Sequence, residues 1–234
     1  MSSTSRLVDD PTHKPLDQYW TPDALASASI ARLHIHRGMG WWSKCYALEP
    51  HCGQGAWLRA MDKCVTAIDV CDIDAQWTAV AHNSSSHIGR KILGDFLTVD
   101  FEPTNAKGTG WGGYDLICGN PPFSRIARDA HGKPLLTKKG KEKFETVAHL
   151  HVERALQLLN PSGLLAFVLR LGLLGSNDRA AFWDRYPPSC VYVLRPRPSF
   201  TGGGSDSADY GLFVWDKRKE AQGNVTALGF LDWA

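Results

Sequence analysis

The sequence has no long apolar run. Its longest, Leu164 to Leu169, ends at Arg170, well short of the ~20 residues a helix needs to span a bilayer. The opening Met1-Ser2-Ser3-Thr4-Ser5 has neither the apolar core nor the small-residue cleavage site of a secretory leader. Paired cysteines are missing as well. Cys45, Cys52, Cys64, Cys71, Cys118 and Cys190 are scattered, no C-x-x-C occurs, and the nine histidines are dispersed, so reduced structural thiols are expected, with no disulfide framework and no metal site. Nor is there an excess of one charge: 26 Lys and Arg face 24 Asp and Glu, which excludes a histone-like polycation and an acidic solvating chain. No internal repeat or long linker divides the sequence. These absences point to a soluble, cytoplasmic chain with no membrane partner. A hydrophobic fraction of 43% suffices for one domain over residues 18–234, behind a flexible tail at 1–17.

What is present is alternation. Thr21-Pro22 opens a helix, with Thr21 as the cap, Pro22 at the first helical position and Asp23 at the positive end of the dipole. Leu25, Ile30 and Leu33 give that helix a partial apolar face before Gly38 and Gly40 end it. Strands are predicted at 45–49, 65–71, 88–93, 114–118 and 164–169. Helices are predicted at 56–63 and 75–82, and Ala148, Val152, Ala155 and Leu159 recur at helical spacing until Asn160-Pro161-Ser162-Gly163 stops them. A helix at 180–186 and strands at 190–194 and 210–215 complete the set. This order predicts an α/β fold with a doubly wound, mostly parallel sheet. The last two strands have no helix between them, which predicts an antiparallel strand at one edge. Ligands of such sheets bind outside the carboxyl ends of the strands, so the turns that follow strands carry the chemistry.

The first such turn is Glu49-Pro50-His51-Cys52-Gly53-Gln54-Gly55. Gly53 and Gly55 allow close approach of a ligand to the backbone, although a glycine pair alone fits a tight strand-to-helix turn equally. One unit later Asp72-Ile73-Asp74 places a carboxylate where it can accept both hydroxyls of a ribose, with Ile73 against an adenine face. After the third strand, Asp95 can accept from an adenine amino group and Phe96 can cover the ring. Singly, such aspartates are turn formers or helix caps; in this order they outline a nucleoside-sized pocket. The fourth strand ends in Asn120-Pro121-Pro122-Phe123. Two prolines remove two backbone donors and leave acceptors exposed. An Asn120 side-chain oxygen and a Pro121 carbonyl that accept both N–H bonds of a planar amine would draw its nitrogen toward tetrahedral geometry. An aromatic face such as Phe123 stabilises the positive charge that then grows on it.

Glu49-Pro50-x-x-Gly53-x-Gly55, Asp72-Ile73-Asp74, Asp95-Phe96 and Asn120-Pro121-Pro122-Phe123, in that order, resemble the S-adenosylmethionine-dependent N6-adenine DNA methyltransferases. Tyr19-Trp20-Thr21-Pro22 is similar to the segment that precedes the glycine motif in the circular order called the gamma class. The resemblance spans roughly residues 18–215 and implies a class I, Rossmann-like methyltransferase. It assigns Glu49, Gly53, Gly55 and Thr21 to the methionine end of the cofactor, Asp72 and Ile73 to its ribose and adenine, and Asp95 and Phe96 to the adenine edge; Pro50 and Trp20, within the same motifs, are also expected to bind the cofactor. Asn120, Pro121, Pro122 and Phe123 become the catalytic residues. Pro198-Ser199-Phe200-Thr201-Gly202 resembles a later motif whose aromatic, here Phe200, stacks on an extruded base, so Phe123 and Phe200 would sandwich the ring.

Many relatives carry a separate target-recognition domain after the catalytic sheet; here only residues 216–234 follow. Instead, residues 124–143 hold Arg125, Arg128, Lys133, Lys138, Lys139, Lys141 and Lys143 against Asp129 and Glu142, a segment charge of +5 in a chain of +2. A charge run is usually a solvated surface. Directly after the catalytic tetrapeptide, it is also well placed to hold the phosphates of a duplex without reading its sequence, so specificity is expected to be relaxed or short. The expected partner is double-stranded DNA with a flipped adenine, and the setting resembles small phage enzymes. An RNA adenine methyltransferase, a protein-glutamine methyltransferase and a catalytically silent nucleic-acid-binding subunit remain alternatives. His34, His36, His149 and His151 are expected at surfaces or interfaces, and most tryptophans in packing.

Overall fold

The computed structural model describes residues 20–81, 83–101, 112–126, 133–141, 143–200, 208–218 and 226–234. Among these the chain runs α1 (Asp23–Arg37), α2 (Met39–Trp42), β1 (Tyr46–Glu49), α3 (Ala56–Met61), β2 (Ala67–Asp72), α4 (Ala75–Ala81), β3 (Ile88–Leu93), β4 (Tyr114–Gly119), β5 (Ser124–Ile126), β6 (Phe144–Thr146), α5 (Ala148–Leu158), β7 (Leu159–Arg170), α6 (Ala180–Arg185), β8 (Cys190–Arg195), β9 (Tyr210–Asp216) and β10 (Ala227–Asp232). Eight strands form one sheet in the order β10-β8-β9-β7-β4-β1-β2-β3, and β5 and β6 form a separate antiparallel pair.

Successive residues of each strand point to opposite faces, so the strands feed two cores. Ala47, Ile68, Leu116, Cys118, Leu164, Ala166 and Val168 pack with Leu25, Leu33, Trp57 and Met61 of α1 and α3 on one face. Leu48, Cys71, Ile117, Leu165, Phe167 and Leu169 pack with Val152, Ala155 and Leu156 of α5 on the other. Helices on both faces leave the central strands without a solvent side, which explains their near-continuous apolar sequences.

Three expectations change. The antiparallel strand exists, but it is β9, inserted between β7 and β8, and β10 continues beyond β8 as a parallel edge strand. All seven β9 residues are buried, a pattern that belongs inside a sheet and not at its border. β10 went unrecognised because only Leu231 of its six residues is buried, and Leu228 and Phe230 are exposed. Finally, α1 starts at Asp23 with an extended Pro22 at the cap position and no side-chain cap, so Thr21 does not cap it.

All six cysteines are free, and every one except Cys64 is buried. Among the described residues no helix is long and apolar enough to cross a membrane, and no group of three His, Cys, Asp or Glu side chains is arranged to hold a metal ion. The tail at 1–17 lies outside the described residues.

Candidate active site

The carboxyl ends of β1, β2, β3 and β4 open onto one cavity of about 200 Å3. The turn after β1 supplies Pro50, His51, Cys52, Gly53 and Gln54 to its wall. Gly53 has φ +42°, and a Cβ there would stand 3.1 Å from the Trp20 ring, so glycine is what lets this turn lie against the indole. Trp20 is itself held by its backbone N–H donating to the Phe200 carbonyl at 3.3 Å and by edge contact of its ring with Trp77 at 4.6 Å. Gly55, with φ +77°, serves packing instead: a Cβ there would collide with the Ser84 side chain, and Gly55 is not part of the wall.

Asp72, at the end of β2, braces that turn by accepting the Gly53 N–H at 2.9 Å on Oδ2 and the Asp74 N–H at 3.0 Å on Oδ1. Burial raises the Asp72 carboxyl above its ordinary range, and the two amides partly offset this. Beyond β3, Asp95 Oδ1 accepts the Leu97 N–H at 2.9 Å, which fixes its carboxylate at the wall. Ile73, 55% exposed, and the buried Phe96 supply apolar wall on either side of these acids. Two carboxylates among Trp20, Ile73, Trp77 and Phe96 fit a cationic ligand that carries hydroxyls and a flat ring.

After β4, Asn120 and Pro122 reach the wall, whereas Pro121 and Phe123 are buried behind it. A Cβ at Gly119 would collide with Glu49 Oε1, so any larger residue there would force the buried glutamate to shift. Glu49 is wholly buried one layer behind the cavity; its Oε1 accepts the His51 N–H at 3.1 Å, and its Oε2 has no partner. Burial pushes its carboxyl well above the carboxylate range, the Asp72 charge adds to the rise, and the His51 amide opposes it.

The base sandwich expected between Phe123 and Phe200 is not formed. Both rings are buried, they meet each other edge to face at 6.3 Å, and both pack on Tyr210. The Arg170 guanidinium lies 5.0 Å from the Phe123 ring centre. Apolar rings brought together by β9 bury against one another, and they support the Asn120 turn and Trp20 from behind.

The basic segment is a hairpin in its described part. β5 and β6 pair at its base, the Thr137 N–H donates to the Lys141 carbonyl at 2.7 Å, and the Lys143 N–H donates to the Leu135 carbonyl at 2.8 Å. Lys133, Lys138, Lys139, Lys141 and Lys143 are exposed. Arg125 lines the cavity mouth and donates to Glu145 at 2.6 Å. Arg128 lies outside the described residues.

One pair of site residues was missed in the sequence. His151, expected at a surface, is 3% exposed at the cavity wall, and its Nδ1 lies 2.9 Å from His51 Nε2. Burial lowers both imidazoles, that of His151 to about 3 with further depression by Arg125 and His149. The only available signal was a histidine inside the glycine turn and another on the inner face of α5. His36 instead pairs with Asp216 at 3.2 Å.

Comparison with known proteins bears on the fold and the family. The structure superposes on a class I S-adenosylmethionine-dependent methyltransferase from Listeria monocytogenes with a TM-score of 0.64 at 15% identity, over 92% of this chain and 67% of that one. A type I restriction-modification methyltransferase subunit from Streptococcus thermophilus gives 0.61 at 16% identity over 85% of this chain, which spans 45% of that subunit. An RNA methyltransferase from Pyrococcus horikoshii gives 0.57 at 11% identity, covering 89% and 91%. At these identities the likeness establishes the class I methyltransferase fold. The sequence itself goes further: residues 63–181, just over half of the chain, match the Eco57I restriction-modification methylases. That stretch holds Asp72, Asp95 and Asn120-Pro121-Pro122-Phe123, so this chain is a member of the Eco57I restriction-modification methylase family, which depends on S-adenosylmethionine.

Proposed function

We propose that this chain transfers the methyl group of S-adenosylmethionine to the N6 amine of adenine in DNA, after the base has left the helical stack. One observation carries the reading: Asn120 and Pro122 share a single cavity with Gly53, Asp72 and Asp95. When bound, the cofactor supplies a methyl group made electrophilic by its sulfonium. Asp72 would accept the ribose hydroxyls, Asp95 the adenine amine, and Ile73 and Phe96 would flank the ring. Glu49, behind the glycine turn and neutral while buried in the free protein, would take up negative charge as the cationic cofactor binds. Asn120 Oδ1 would accept one hydrogen of the target amine and aim its lone pair, and the Pro121 carbonyl, behind the wall in the free protein, would accept the second once the entering base opens that turn. Phe123 keeps that turn in place from the core.

Asn120 is only 9% exposed, which supports a reading in which the target base would leave the stack to bring its amine there. The lysines of the β5–β6 hairpin would grip the phosphates beside the mouth, which positions DNA without reading it. Membership of a restriction-modification methylase family favours DNA over RNA or protein as the acceptor. Asn120→Ala tests the assignment. Methyl transfer should fall at least about a hundredfold, while cofactor affinity measured by calorimetry stays within about twofold. Near-normal turnover in that variant overturns the reading.

A further inference from the structure

Two buried imidazoles at the cavity have no part in the reaction outlined above. His51 comes from the turn after β1 and His151 from the first turn of α5. With His51 Nε2 2.9 Å from His151 Nδ1, a neutral pair holds one hydrogen between them. His51 Nδ1, at the far end, is buried and has no partner. Two arrangements are possible. If His151 Nδ1 donates, the far end of His51 is a buried N–H with nothing to bond. If His51 Nε2 donates, the far end is a bare lone pair. An orphaned buried donor is the rarer and costlier of the two, so the second arrangement prevails, and the remaining hydrogen of His151 sits on Nε2.

We propose that His151 presents Nε2–H as a fixed hydrogen-bond donor to a ring nitrogen of an adenine held in the cavity, with His51 acting as the positioning residue that sets its tautomer. The ring is well placed for this. Phe96 stacks on His151 at 5.8 Å with planes 12° apart and meets His51 edge-on at 5.3 Å, so neither imidazole can turn freely. Because burial keeps both neutral, the pair adds no positive charge to a cavity that is to hold a sulfonium. At the Watson–Crick edge a fixed donor selects by complement: adenine N1 accepts, whereas guanine N1 and thymine N3 carry hydrogens and would meet it head-on; at N3 or N7 it would hold adenine without rejecting guanine. This inference rests on the functional reading above, which brings two adenines to the cavity, one in the cofactor and one as the target.

Nitrogen-15 NMR of the wild-type chain with labelled histidine tests it without a variant. In the ligand-free protein, Nε2 of both residues should carry hydrogen and both Nδ1 should be bare. A bare Nε2 on His151 overturns the proposal. S-adenosylhomocysteine is then added alone, followed by an adenine-containing duplex. A shift of the His151 Nε2–H at the first step assigns the donor to the cofactor ring, and one confined to the second step assigns it to the target base. No shift at either step overturns the proposal. In parallel, His151→Leu should weaken whichever ligand is bonded by about tenfold, and His151→Gln, which restores a donor, should recover most of it. Equal losses in both variants would mean packing alone. Calorimetry of the wild type with S-adenosylhomocysteine keeps the two ideas apart: absent binding sinks the functional reading, while the ligand-free spectrum still decides the tautomer.

Discussion

Two buried acids lie at opposite strand ends of the same sheet and are treated in opposite ways. Asp216 ends β9 beside the start of β7 and is wholly buried. Its Oδ2 accepts from His36 at 3.2 Å and Arg218 at 2.8 Å, and its Oδ1 accepts the Arg218 amide at 3.1 Å with Arg37 at 3.5 Å. Glu49 ends β1 at the cavity edge, equally buried, with one amide on Oε1 and nothing on Oε2. Burial works against both charges. Around Asp216 the hydrogen bonds from His36 and Arg218 and the charge of Arg37 outweigh it and hold the carboxyl below its usual range; around Glu49 they do not. A saturated buried acid ties α1 to β9 as scaffold, whereas the unsaturated one keeps an oxygen without a partner behind the cavity, as the proposed cationic ligand would require.

Breaking the saturated site should cost most. Asp216→Asn leaves the Arg37 head group, 1% exposed, without its counter-charge and should lower unfolding free energy by about 3–5 kcal/mol at neutral pH. Since the native carboxyl titrates below its unfolded value of 3.8, its contribution is complete above that pH and fades as pH falls below it. Denaturant midpoints of wild type and variant should therefore converge on acidification, and parallel curves would contradict the comparison. Glu49→Gln should do the reverse. The native carboxyl stays protonated above 4.5, where the unfolded one ionises, so its burial costs more stability as pH rises. The amide removes that cost: Tm should rise by roughly 2–4 °C at pH 8, with a smaller gain at pH 5, while cofactor affinity falls. A variant less stable than wild type at pH 8 would place Glu49 with the scaffold. The smallest effect concerns the hairpin. Replacing Lys138, Lys139 and Lys141 by Gln should leave Tm unchanged and reduce the slope of log Kd for DNA against log salt by up to about 3; an unaltered slope moves the DNA surface elsewhere.

Much of the strand-end chemistry was legible because it is local. Asp72 directly follows an apolar run, Asp95 and Asn120 come one glycine after one, and Gly53 comes within the turn that ends another; the polypeptide must turn where such a run ends. What escaped depends on partners distant in sequence. β9 is a short apolar run whether it lies inside or at the border, and only its pairing with β7 and β8 decides which. β10 shows too little apolar alternation to register. His51 and His151 meet across 100 positions, and neither has a neighbour that announces the other. Phe123 and Phe200 were misread for the converse reason: an aromatic beside a functional motif resembles a stacking group until its burial against Tyr210 is seen.

The most direct measurement is mass spectrometry of nucleosides after the chain is incubated with isotope-labelled S-adenosylmethionine and, separately, duplex DNA, RNA and protein. Transfer to adenine N6 predicts label as N6-methyladenine from DNA, formed by the wild type and lost with Asn120→Ala. Label on cytosine, on RNA or on protein side chains, with adenine in DNA untouched, would contradict it.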